Sequence, residues 1–495
     1  MRLRTRWVLA AALVLAACST GGETTAPPGE IVVKGAGTEQ GASGAEPEGE
    51  GAEGASGGAS TGGAVGDGKG GEGGIGGPTP GAGEGSEKPG ERARKPGEET
   101  QPGDVAQPGE PKQPGEPTEP GEPTQPGQPA EGLIAHEWGT FTSMQGSDGA
   151  PLLGMHHEEE PLPDFVVSRS GLFMQQKGIE ELPEGVDQKL ETPVIYFYTG
   201  AKVDVTVDVA FPKGIIGQWF PDATTWGPAL GAMEEVGGGS MTWQVTVDPA
   251  IDAGKFPPVD PQDIWAPSRA TAATPLRYGA QHERFIFYRG LGRFDMPVRV
   301  TSDAGGTVTV TNESGDLIPS VILLSTDGAT GAVADLGALG AGQSTSHAAT
   351  VGEACADWLA CVRPVVVDAL VKSGLYEDEA WAMVDTWTRS YFQTPGLRVL
   401  YVVPRPWTDA LLPIKITPEP TALVRTLVGR IEVLTPAEEA SLVAQVSSMV
   451  GKGDLLVAQL GRFAEPRLRR ACALIQDEKV TQWCDGLLVS LSLQP

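Results

Sequence analysis

Val203-Asp204-Val205-Thr206-Val207-Asp208-Val209 decides how the folded part of this chain is read. Apolar and polar residues alternate with a period of two, the mark of a strand with one buried face. Met241-Thr242-Trp243-Gln244-Val245-Thr246-Val247 continues the pattern downstream, as do Arg284–Tyr288, Val298–Thr301 and Thr307–Thr311. Upstream, Thr192-Pro193 introduces Val194-Ile195-Tyr196-Phe197-Tyr198, and Val321–Leu324 follows as a further strand. Short strands punctuated by Gly, Pro, Asn and Asp predict an antiparallel sandwich-like arrangement over residues 133–350.

Beyond residue 355 or so the period changes. Val365–Lys372 and Glu377–Phe392 fit helices, the second with Ala380, Met383, Val384 and Trp387 on one face. Leu397–Val403 and Val424–Val433 read as strands. Thr435-Pro436-Ala437-Glu438 is a helix start, with Thr as N-cap, Pro at the first position and Glu at the third. The expected fold class is therefore α+β. An antiparallel β-sandwich-like N-terminal part (133–350) precedes a mixed, mainly helical C-terminal part (351–495) of the same unit.

The N-terminus is of another kind. Arg2, Arg4 and Arg6 precede the apolar run Trp7–Ala17. That run is shorter than the roughly 20 residues a membrane-spanning helix needs and has the length of a signal-peptide core. Leu15-Ala16-Ala17-Cys18 resembles the lipobox of bacterial lipoproteins. The resemblance implies a signal peptide over 1–17, cleavage before Cys18, and lipidation (diacylglyceryl and palmitate) of its thiol. Ser19, where that family often has Asp for inner-membrane retention, implies the outer membrane, periplasmic or surface-exposed. Two or more acyl chains give stable anchoring.

Residues 18–132 consist mainly of Gly, Glu, Pro, Ala, Ser and Thr. They lack the apolar area to offset chain entropy, so a disordered tether is expected. Prolines at 96, 102, 108, 114, 120 and 126 stiffen its second half. Glycine-rich matches within it, such as Gly68–Gly73, follow no strand and open no helix, so they carry no nucleotide-binding chemistry. The net charge of −28 excludes nucleic acid as a partner.

Five cysteines leave four once Cys18 is lipidated. An even remainder in an exported chain points to disulfide bonds. Local pairing, Cys355–Cys361 and Cys472–Cys484, is expected over a four-thiolate zinc site, since no C-x-x-C pair occurs.

At His136-Glu137-Trp138-Gly139-Thr140-Phe141-Thr142-Ser143 the chain resembles an uncharacterised family of exported bacterial proteins. Matching stretches are Glu191–Tyr198, Glu283–Gly290, Pro404–Asp409 and Val428-Gly429-Arg430. The resemblance implies that 133–495 is one evolutionary unit and transfers no mechanism.

Three of the five histidines, His136, His156 and His157, fall close together among Glu137, Asp148 and Glu158–Glu160. Imidazole with carboxylate is a ligand set for a divalent metal such as zinc, iron or manganese. His136, Glu137, His156 and His157 are thus candidate metal ligands. H-E-x-x-H is absent, and the competing reading has His136 hydrogen-bonded on a first strand. Glu283-Arg284 reads as a cross-strand ion pair, and His347 as exposed. Trp219-Phe220-Pro221-Asp222 and Pro404-Arg405-Pro406-Trp407 read as loops whose tryptophans either grip sugar rings or belong to the core, the core being favoured.

The reading that follows is an outer-membrane lipoprotein held by its N-terminal lipid. It presents a tethered folded module that binds a protein or glycan partner. The alternative is a metal-dependent hydrolase built on the His/Glu cluster.

Overall fold

The computed structural model describes residues 132–155, 161–169, 185–228, 236–348 and 357–492. All lie in the second of the chain's two units, Lys112–Pro495. The segments read as signal peptide and tether, with Cys18, His156, His157 and Cys355, lie outside the described residues.

The fold is mixed α+β, with mostly antiparallel sheets. In chain order the strands are β1 (Ile134–Gln145), β2 (Val167–Ser168), β3 (Gln188–Tyr198), β4 (Val203–Phe211), β5 (Gly214–Phe220), β6 (Thr225–Gly227), β7 (Gly239–Val247), β8 (Leu276–Tyr278), β9 (Gln281–Glu283), β10 (Phe285–Gly292), β11 (Val298–Ser302), β12 (Thr307–Asn312), β13 (Ile318–Thr326), β14 (Gly331–Leu339), β15 (Ser344–Ala348), β16 (Gly396–Val402), β17 (Ile414–Thr417) and β18 (Ala422–Val433). The helices are α1 (Trp358–Lys372), α2 (Glu377–Thr386), α3 (Arg405–Leu411), α4 (Pro436–Ser448), α5 (Gly453–Leu460), α6 (Ala464–Leu474) and α7 (Glu478–Ser492). Among the described residues, no helix is long and apolar enough to cross a membrane.

A nine-stranded sheet runs β14-β13-β16-β18-β1-β3-β10-β5-β2. The N- and C-terminal parts therefore interleave, because β16 and β18 lie between β13 and β1. One pairing, between the N-terminal part and the C-terminal part, is parallel: β1 with β18, in register from Ile134↔Ala422 to Gln145↔Val433. A long crossover makes such a pairing sterically open.

One face of this sheet packs on a six-stranded sheet (β17-β4-β7-β8-β9, with β6 on β7) and on the three-stranded sheet β11-β12-β15. The period-two sequence explains that contact. Val205, Val207 and Val209 turn inward with Trp243 and Val245, each apolar side chain contributing about 1.5–3 kcal/mol by burial. Asp204 and Asp208 turn outward and accept cross-strand hydrogen bonds of 2.7 Å from Thr246 and Thr242. The other face carries helices. α1 and α2 cover the end near Trp138, and α4–α7 cover the end near Met144.

Several local expectations hold. Thr435 caps α4 in a capping box with Glu438. Cys472 and Cys484 form a disulfide linking α6 to α7, with a Cα–Cα distance of 6.0 Å. Cys361 is also disulfide-bonded. The helix expected over Glu377–Phe392 instead ends at Thr386 and continues as a π-helical turn, Thr388–Phe392. Trp219 and Phe220 are not in a loop. They end β5 and are 1% exposed, since an apolar pair before a proline closes this strand. Trp407 lies in α3, where its indole donates to Asp316 at 2.7 Å.

Candidate functional site

β1, the strand carrying the HEWGTFTS motif, sits at the centre of the nine-stranded sheet with both faces covered. Successive strand side chains point to opposite faces. His136, Trp138, Thr140 and Thr142 face the helices, while Glu137 and Phe141 face the sandwich core. His136 and Glu137 therefore do not share a site, and the reading of the two as co-ligands is corrected by the pleat. Each meets its own partners.

On the helical face, His136 Nδ1 lies 2.8 Å from Glu379 Oε2 of α2, and both side chains are buried. Tyr198 OH donates to Glu379 Oε1 at 2.7 Å, and the Tyr376 backbone N–H donates to Oε2 at 2.8 Å. The rings of Tyr198 and Tyr376 lie 5.3 and 4.4 Å from the imidazole. Burial, and then the Glu379 charge, push the Tyr198 phenol far above its ordinary range, so it stays protonated and donates to Glu379. Chemically this is an imidazole oriented by a carboxylate in a dry aromatic box.

On the sandwich face, Arg425 Nε donates to Glu137 Oε2 at 2.5 Å, and Tyr288 OH donates to Oε1. Arg425 also reaches Asp409 at 2.8 Å and the Leu412 carbonyl at 2.7 Å. Burial lowers the guanidinium's proton affinity, but Glu137 more than restores it.

A third cluster lies further along the helical face. Glu191 accepts from Thr142 (2.7 Å), Tyr391 (2.9 Å) and Arg462 (2.6 Å), with Lys189 at 3.8 Å. Beside it, Arg398 and Arg430 share Glu432 Oε1 at 2.8 and 2.7 Å, and Arg430 stacks 3.9 Å over the Tyr391 ring. Burial raises both carboxyls, but the arginines outweigh it. Glu191, beside Arg462, Lys189 and Arg430, is held well below the usual carboxylate range, and Glu432, beside Arg398 and Arg430, at about 2.

A bulge makes this third cluster. Trp138 pairs with Val194, but Thr140 pairs with Glu191, so β3 carries one extra residue there. A one-residue slip moves a side chain to the opposite face. It turns Glu191 toward the helices. Thr192 takes up the bulge at φ 49°, and the backbone of Pro193 comes so close to Gly139 that a Cβ there would lie 2.9 Å from the Pro193 Cα.

No group of three or more metal-ligating side chains occurs among the described residues. Glu283 does form the expected ion pair, but with Arg269 of the 267–269 turn (2.5 Å) rather than across strands. His347 is exposed, as expected. Glu379, Arg425, Tyr288, Arg462 and Glu432 were not singled out by sequence. Tyr288 and Arg430 did stand in matching stretches, as did Glu191, Tyr198 and Asp409.

No family model matches the chain, and no curated protein matches it. Among solved structures it is similar to the Fcho1 mu homology domain of Danio rerio with bound Eps15 peptide. Identity is 6%, TM-score 0.24, and coverage 61% of this chain and 96% of that chain. It is likewise similar to the yeast delta-COP-I mu-homology domain, with identity 9%, TM-score 0.22 and the same coverages. That domain complexed with a Dsl1 WxWxV peptide gives 9% and 0.23, again covering 61% and 96%. Overlap this slight does not define a shared fold.

Proposed function

We propose that this chain is an outer-membrane lipoprotein whose folded part is a binding module for a protein or glycan partner. Cys18 is the lipidated residue, and the Gly/Pro/Glu-rich segment is the tether. The reading of the N-terminus rests on the charged start, the short apolar run and Leu15-Ala16-Ala17-Cys18. The reading of the folded part rests on one observation. The motif's titratable side chains hold the scaffold together: His136 to Glu379 and Glu137 to Arg425.

Two measurements test it. Mass spectrometry of the N-terminal peptide is expected to show an acylated Cys18, absent in Cys18→Ala. An unmodified peptide beginning elsewhere overturns the anchor. Metal analysis of the purified full chain tests the module. Stoichiometric zinc, iron or manganese, lost in a folded His136→Ala variant, would replace the binding module with a metal-dependent hydrolase.

A further inference from the structure

Six arginines are buried among the described residues, and four of them rest on a buried or half-buried carboxylate. Arg398 and Arg430 rest on Glu432, Arg425 on Glu137, and Arg462 on Glu191. Arg289 donates to Gln218. Arg169, at the end of β2 and 2% exposed, has no carboxylate among the described residues. Its Nη1 and Nη2 donate to the backbone carbonyls of Pro228 and Gly227 at 3.2 and 3.1 Å. Its guanidinium lies 4.6 Å over the Trp226 ring, and its Nε is buried without a hydrogen-bond partner.

Two dipoles and an indole face do not replace a counter-charge. Burial alone pushes the group down, to about 10, so it remains a cation at neutral pH. A desolvated cation without an anion is destabilising unless something supplies one. The unused Nε–H belongs to the planar fork that takes a two-oxygen acceptor in bidentate fashion. The surroundings leave room. Trp226 and Gly227 of β6, which contact the guanidinium, are themselves only half-buried. Between Arg289↔Gln218 and Gly290↔Ile216 the β10–β5 register skips Gly217, and a Cβ there would meet nothing within 4 Å.

We propose that Arg169 is an anion-binding residue, receiving the carboxylate or phosphate of a ligand at the mouth between β2, β5 and β6. This inference is independent of the anchor and of the partner proposed above. The ligand's own charge completes the pairing that every carboxylate-bound arginine in this core has internally.

The test is thermal unfolding of the full chain in chloride, malonate and phosphate at equal ionic strength, read beside Trp fluorescence. An anion that binds only the folded state raises Tm by an amount that grows as RT ln(1 + c/Kd), c being the free anion concentration. Malonate or phosphate is expected to raise the wild-type Tm by several degrees over chloride. Which anion acts identifies a carboxylate or a phosphate ligand. Arg169→Met is expected to abolish the shift and to be at least as stable as wild type in chloride. Equal shifts in both proteins, or none in wild type, overturn the proposal. Should Arg169→Met not fold, Arg169→Lys keeps the charge and loses the fork. At least tenfold weaker anion binding supports the assignment, and unchanged binding overturns it.

Discussion

Glu137 and Arg425 face each other across the parallel junction of β1 and β18, paired in register and joined at 2.5 Å. Removing one member of such a buried pair leaves the other charged and dry, at a cost of about 3–5 kcal/mol. Glu137→Ala should therefore lower the urea midpoint sharply. The double variant Glu137→Leu/Arg425→Met should recover much of the loss. A double-mutant cycle by urea unfolding checks this, and additive losses would contradict it.

Thr192 occupies the left-handed region, where a β-branched residue is strained by about 1–2 kcal/mol, and its hydroxyl is buried without a hydrogen-bond partner. Thr192→Gly should stabilise the protein by roughly 1 kcal/mol after the glycine's extra chain entropy is counted. Thr192→Val keeps the branch and therefore the backbone strain, and should gain only what the unpartnered hydroxyl costs. Chemical denaturation of the two variants separates them.

Asp187 is buried and its carboxyl is pushed up to about 6, chiefly by burial. A raised carboxyl binds its proton more tightly when folded. Its stabilising contribution is complete below the ordinary value of 3.8 and is lost as pH rises through 6. Asp187→Asn keeps an acceptor for the Phe294 N–H and removes the charge. It should be more stable than wild type at pH 7 by about 1–3 kcal/mol, with the gap closing toward pH 4. Glu432 acts oppositely. Held at about 2, it contributes above 4.5 and loses that contribution as pH falls toward 2. Urea midpoints across pH 3–8 report both limbs.

The Cys472–Cys484 bond closes a short loop, at a sequence separation of 12. Its loss should cost about 2–3 kcal/mol in the α6–α7 region. Hydrogen exchange of Cys484→Ala should show faster exchange confined to α5–α7. Uniform loss of protection would mean that these helices do not open separately.

The sequence disclosed what local chemistry decides. Period two located β4, β7, β11 and β12, and Thr435 with Glu438 located the start of α4. It did not disclose partners, because those are distant along the chain. His136 and Glu379 are 243 residues apart, and Glu191 and Arg462 are 271. Val424–Val433 was legible as a strand, but its place beside β1 was not. The pleat that parts His136 from Glu137 was available from sequence alone. Glu191 could not be assigned a face, because a bulge reverses the alternation that such an assignment assumes.

The seating of β18 beside β1 also sets an order of events. The central strand's neighbour arrives 288 residues later, so a chain emerging N-terminus first holds HEWGTFTS with one flank bare until almost all of it has appeared. An unsatisfied flank of that kind templates pairing with other molecules, and contacts so remote in sequence form slowly. Nascent copies thus pass through a vulnerable interval in which a holding chaperone has work to do. Fragments ending short of Ala422 would never leave it.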